Sequence, residues 1–168
     1  MQPPGHLLVS IGVGVAIYGL TNSATASAAA AGLGVLIDLD HLFDYLLWAS
    51  SRSRDKLYLW LHSYELLLPL FLWWIRPEGN ALALGLLLGA ATHLLTDQLT
   101  NRVGPFTYFV VYRMAKGFRM SCLVSFTAED AFQRLFGIPL IGHVLVALIR
   151  RWAGSNATLD YLVSQHRP

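Results

Sequence analysis

Charge is scarce in this sequence. Lys, Arg, Asp and Glu make up 13% of its 168 residues, against 55% hydrophobic residues. A water-soluble domain carries about 25% charged residues, so this chain lacks the polar surface to stay in water alone. Cysteine is scarcer still. The lone Cys122 excludes an intrachain disulfide and any cysteine-rich zinc cluster, and it reads as a small buried side chain. No lysine or arginine precedes Arg52. The positive n-region of a cleavable signal peptide is therefore missing, and the N-terminus reads as a retained membrane segment. The net charge of +2 and the pI near 8.9 come without a basic patch interleaved with stacking aromatics. No nucleic-acid partner is expected.

What the sequence has in abundance is long apolar runs, with a mean hydropathy of +0.49. Four of them approach the ~20 residues needed to cross the hydrocarbon of a bilayer: Gly5 to Leu20, Ala24 to Ala49, Leu57 to Ile75 and Ala81 to Thr100. The second is rich in small residues up to Leu36, which let membrane helices approach closely. Phe106 to Tyr112 is aromatic but short and leads into Arg113, Lys116 and Arg119, an interfacial pattern. Ile138 to Ile149 is a short fifth span or a helix lying in the headgroups. The expected fold is all-α, a polytopic membrane bundle of four to five transmembrane helices. It would occupy residues 1–152, with a short polar tail over 153–168. With four spans in order, Arg52, Arg54, Lys56, Arg102, Arg113, Lys116 and Arg119 share one side, and the positive-inside rule puts that side and the N-terminus in the cytoplasm. The bilayer is the expected partner, and the cell inner (cytoplasmic) membrane the expected location.

Within these apolar runs stand Asp38, Asp40, His41, Asp44, His62, Glu65, His93 and Asp97, with His6 at the mouth of the first. An ionisable group in a bilayer costs about 2.5–3.5 kcal/mol even on lenient scales. So many in one small protein imply that they meet and compensate one another. The topology brings all of them toward the same membrane face. His93 and Asp97 are i,i+4 and share a helix face; Asp38 and His41, like His62 and Glu65, are i,i+3. Asp40 and Asp44 form a second i,i+4 pair, with Asp44 read as an interfacial carboxylate. Imidazole with carboxylate suits Zn²⁺, with Mn²⁺ or Fe²⁺ as alternatives, and one or two ions. His143, alone in an apolar run, reads as a packing histidine.

The ordered set Gly5-His6-Leu7-Leu8, Asp38-Leu39-Asp40-His41, His62-Ser63 and Gly89…His93…Asp97…Thr100 resembles the predicted membrane-bound metal-dependent hydrolases of the YdjM, or LexA-binding inner-membrane, type. That family is distantly similar to zinc-dependent phospholipase C. The resemblance covers roughly Met1 to Pro105. It implies metal ligation by His6, Asp38, His41, His62, His93 and Asp97, with Asp40 a ligand or the base that activates water. Two positions depart from the family pattern. Ile37 stands where proline is usual, and Leu57 to Leu61 replace a His-Arg-Gly stretch that would supply a ligand and a phosphate-binding cation.

The resulting expectation is a membrane-embedded hydrolase acting on a phosphoester or other amphiphilic substrate near the cytoplasmic headgroups, with Asp40 or Glu65 taking the proton. Two other classes use the same residues differently. One is a non-catalytic scaffold stapled by metal; the other is a proton or ion relay.

Overall fold

A computed structural model of the protein describes residues 3–49, 55–77 and 80–136, together with 142, 144, 147–149 and 151. The short apolar run over 138–149, His143 within it, and the tail over 153–168 fall wholly or mostly outside the described residues. The described chain is all-helical: α1 (Pro3–Thr21), α2 (Ala24–Leu36), α3 (Leu39–Ala49), a 3₁₀ turn (Tyr64–Leu66), α4 (Leu67–Trp74), α5 (Ala81–Thr100), α6 (Val110–Ala115), α7 (Met120–Leu123) and α8 (Ala128–Phe136). Among the described residues there is no strand, only isolated bridges between Lys56 and Arg119 and between Val103 and Val124.

Small residues bring α1, α2 and α5 together. A Cβ at Gly85 would run into the Ala26 carbonyl, one at Gly89 into the Ala30 carbonyl, and one at Gly34 into the Ser10 hydroxyl. Ala26 and Ala30 are fully buried in this seam. Where two backbones approach so closely, polar groups cross over, and the Ser27 hydroxyl donates to the Gly14 carbonyl at 2.7 Å. Side-chain caps fix the starts of two of these helices. Ser23 accepts from the Ala26 N–H at 3.2 Å and Asn80 from the Ala83 N–H at 3.0 Å.

Two helices are long and apolar enough to cross a membrane: Ala24–Ala49, taken through its central turn, and Ala81–Thr100. Gly5–Thr21 and Tyr64–Trp74 are apolar but shorter. The outer faces remain greasy, with Leu8, Val15, Leu20, Leu68, Leu95 and Leu99 all more than half exposed. Apolar surface of this extent marks a face built for lipid or a partner rather than for water.

The third apolar run does not form the single helix expected over Leu57 to Ile75. Residues 57–63 are irregular, and helix begins only at Tyr64. The reason is competition for the backbone. Asp44 accepts the N–H groups of Tyr58 and Leu59 at 3.0 and 3.1 Å, and Asp40 accepts those of Leu61 and His62 at 2.8 and 3.2 Å. Donors claimed by carboxylates are lost to a helical ladder. Asp44 is therefore no interfacial carboxylate. It is completely buried and works as a clamp on the following loop. Pro69 falls in the first turn of α4, where a missing N–H is harmless.

The second run is also interrupted. At Asp38 the bonding tightens to i→i−3, with Asp38 N–H donating to Val35 at 3.2 Å and His41 N–H to Asp38 at 3.2 Å. A 3₁₀ stretch inside a helix turns side chains off their regular faces. Below it, a second core of Trp48, Leu57, Leu59, Leu94, Tyr108, Leu123 and Phe132 joins α3, the loop and the segment beyond α5. Cys122, expected to be buried, is exposed there.

Candidate metal centre

Four parts of the chain meet above that core. α1 contributes His6, the turn between α2 and α3 contributes Asp38, the clamped loop contributes His62, and α5 contributes His93 and Asp97. His6, His62, His93 and Asp97 are all buried. The Nε2 atoms of His62 and His93 lie 3.2 Å apart. Asp38 Oδ1 is 3.5 Å from each of them. Asp97 Oδ2 is 3.2 Å from His62 Nε2 and 3.5 Å from His93 Nε2.

These separations have a chemical meaning. Zinc–nitrogen and zinc–oxygen bonds of about 2.0–2.2 Å at tetrahedral angles put neighbouring donors about 3.3–3.6 Å apart. The distances linking the two imidazoles with each other and with both carboxylates run from 3.2 to 3.5 Å. Two neutral imidazoles and two carboxylates also balance a +2 ion.

The outer ring nitrogens decide which form each imidazole takes. His93 Nδ1 is 2.6 Å from the Gly34 carbonyl, which can only accept. His62 Nδ1 is 2.9 Å from Asp40 Oδ1. Assigned from these partners, both rings carry their proton on Nδ1 and turn the Nε2 lone pair inward. Two lone pairs then face each other at 3.2 Å with two carboxylate oxygens beside them. Only protons or a cation relieve that arrangement. Carboxylate oxygens of Asp38, Asp40 and Asp97 all stand within 3.5 Å of the His62 ring nitrogens. The pocket is built to hold positive charge.

The other expected site residues stand around this set. His6 Nε2 is 2.9 Å from Asp97 Oδ1 and its ring stacks on His93 at 4.6 Å between centroids. His41 Nε2 is 3.7 Å from Asp38 Oδ1, with a side chain 37% exposed. Donor atoms of Asp38, His41, His62 and Asp97 all lie within 4.8 Å of one another, as do those of His6, Asp38 and His93. Asp40 is close but turned to the back of His62, both of its oxygens engaged by His62 and Leu61. Glu65 is not gathered in. Its carboxylate accepts from the Ser63 hydroxyl at 2.6 Å and from the Val111 N–H at 3.2 Å, and so starts α6. The i,i+3 pairing of His62 with Glu65 fails because their stretch is not regular helix.

Three residues at the back of the centre carried no motif. The Gly34 carbonyl fixes His93, Tyr108 is buried with its ring 5.8 Å from that of His62, and Arg113 is fully buried beneath the loop. For Asp44 alone a signal existed, its i,i+4 spacing from Asp40. No protein-family model matches the chain, and no curated protein or solved structure matches it either.

Proposed function

We propose that this chain is a polytopic membrane protein whose buried cluster binds a divalent metal ion, most simply Zn²⁺, and uses it to hydrolyse a phosphoester or similar bond of an amphiphilic substrate. What supports it is that the separations of His62 Nε2 and His93 Nε2 from each other and from Asp38 Oδ1 and Asp97 Oδ2 match those between donors around one ion. The resemblance to membrane-bound metal-dependent hydrolases argues in the same direction, as do the apolar outer faces. Four or five spans, a cytoplasmic N-terminus and an inner-membrane location belong to the same proposal and rest on the apolar runs and the basic loops.

The bound ion would supply a water acidified to a pKa of about 7 and a positive charge for the developing oxyanion. The chain's own groups would divide the remaining work. Asp40 holds His62 in the ligating tautomer, and His6 fixes the orientation of the Asp97 carboxylate, as outer partners of metal ligands do. With Asp40 and Glu65 both engaged elsewhere, His41 is the better placed proton acceptor. It is the most open imidazole of the cluster and stands beside Asp38. A proton relay is less well supported, because its groups would have to be strung across the bilayer. A structural ion has one observation in its favour: four protein donors are the number of a closed site, whereas catalytic sites keep a position open.

Elemental analysis of detergent-purified full-length protein tests the metal. One or more equivalents of divalent metal in the wild type, lost in His93→Ala and Asp97→Ala, is the expected result. Wild-type protein without metal after mild purification refutes the proposal. Hydrolysis of an activated phosphodiester by the metal-loaded protein, abolished in His41→Ala with metal retained, separates catalysis from a staple.

A further inference from the structure

The ligand His62 sits on a stretch of chain with no helical ladder, so something else must hold it in place. Its backbone N–H groups go to Asp40 and Asp44, as described above. Its carbonyls go to Arg113, whose Nη1 donates to the Leu59 carbonyl at 2.8 Å and to the His62 carbonyl at 3.1 Å. The loop is thus held from both polar sides, by acids of α3 on its donors and by a cation of α6 on its acceptors. The geometry points to Arg113 and Asp44 as positioning residues of the metal centre, acting through the His62 loop without touching the ion.

Three observations bear on this. First, the clamp costs more than a purely structural element should. Arg113 is fully buried, and its Nε and Nη2 find no hydrogen-bond partner among the described residues. A buried donor left unmet is destabilising. Second, the loop needs holding. Leu59 is buried at φ +47°, a left-handed conformation that strains a non-glycine residue. Its N–H is held by Asp44 and its carbonyl by Arg113. Third, the same guanidinium nitrogen grips the carbonyl of the ligand residue itself, so a shift of Arg113 moves His62. Sub-ångström misplacement of a ligand is enough to weaken an ion's site.

This inference rests on the metal reading above, and its test separates the two. Detergent-purified wild type, Arg113→Met, Arg113→Lys and Asp44→Asn are titrated with Zn²⁺ against a chelator. Each is also loaded with Co²⁺ and its visible absorption recorded. Loss of an outer partner of a ligand typically weakens affinity about 10- to 100-fold. That loss, with an altered Co²⁺ spectrum, is expected for Arg113→Met and Asp44→Asn, and partial recovery for Arg113→Lys, which keeps a donor for the carbonyls. A folded Arg113→Met or Asp44→Asn with wild-type affinity and spectrum overturns the clamp while leaving the metal site standing. Should Arg113→Met fail to fold, Arg113→Lys and Asp44→Asn decide by the same two readouts. Wild type that binds neither ion overturns both readings.

Discussion

Asp40 was expected to be a ligand or the base that activates water, whereas its contacts are those of a support, and one substitution tells base and support apart. Asp40→Ala would strip an acceptor from the N–H of Leu61, the N–H of His62 and His62 Nδ1. The His62 N–H keeps the Leu59 carbonyl at 3.1 Å, but the Nδ1 proton belongs to a ring that is 0% exposed, out of reach of replacement water. For that one buried donor left unmet, the loss is about 1–3 kcal/mol. That is a large share of the 5–15 kcal/mol typical of a whole domain. Freed of its partner, His62 can also turn its ring or move its proton to Nε2, and metal affinity should fall about 10- to 100-fold. Thermal unfolding in detergent and Zn²⁺ titration against a chelator measure the two effects. A catalytic base would give the opposite pattern, with turnover abolished while affinity and unfolding stay at wild-type values. That pattern would refute the supporting role.

Metal itself should stabilise the fold. Free Zn²⁺ at about 100 times its Kd adds about 2.7 kcal/mol, which for a chain of this size raises Tm by about 5–10 °C; chelation should reverse the shift, and a Tm indifferent to both would count against a native site. The helix seam predicts opposite signs for two equal changes. Gly89→Ala pushes a methyl into the Ala30 carbonyl and should cost about 1–3 kcal/mol. Gly12→Ala meets nothing within 4 Å and should gain up to about 1 kcal/mol. Unfolding midpoints in detergent check both, and equal shifts would show that the seam is looser than described.

The donor set was legible in the sequence because its cost is legible. An acid or imidazole in an apolar run is conspicuous, and i,i+4 spacing already put His93 and Asp97 on one face of α5. The loop was not legible. Hydropathy registers Leu57 to Ile75 as one apolar run, and nothing in that sum reports that Asp40 and Asp44, a dozen or more residues upstream, take its N–H groups. The same blindness misread Asp44 and Arg113. Each looks like an interfacial charge in one dimension, and each is buried because its partners are backbone groups that a sequence does not distinguish. Glu65 was drawn to the site only by an assumed helix. Fewer helices of full spanning length appear than hydropathy suggested, since the third run loops before Tyr64 and leaves only a short helix behind it.

The tightened turn near Asp38 does two things at once. In an unbroken α-helix the N–H of residue 38 would bond the carbonyl of residue 34. Here it goes to Val35, and the Gly34 oxygen is left over for the ring of His93. A single missed rung therefore swings one ligand inward and frees the acceptor that keeps another in its binding form. The irregularity in the helix and the readiness of the pocket for an ion are one and the same piece of geometry.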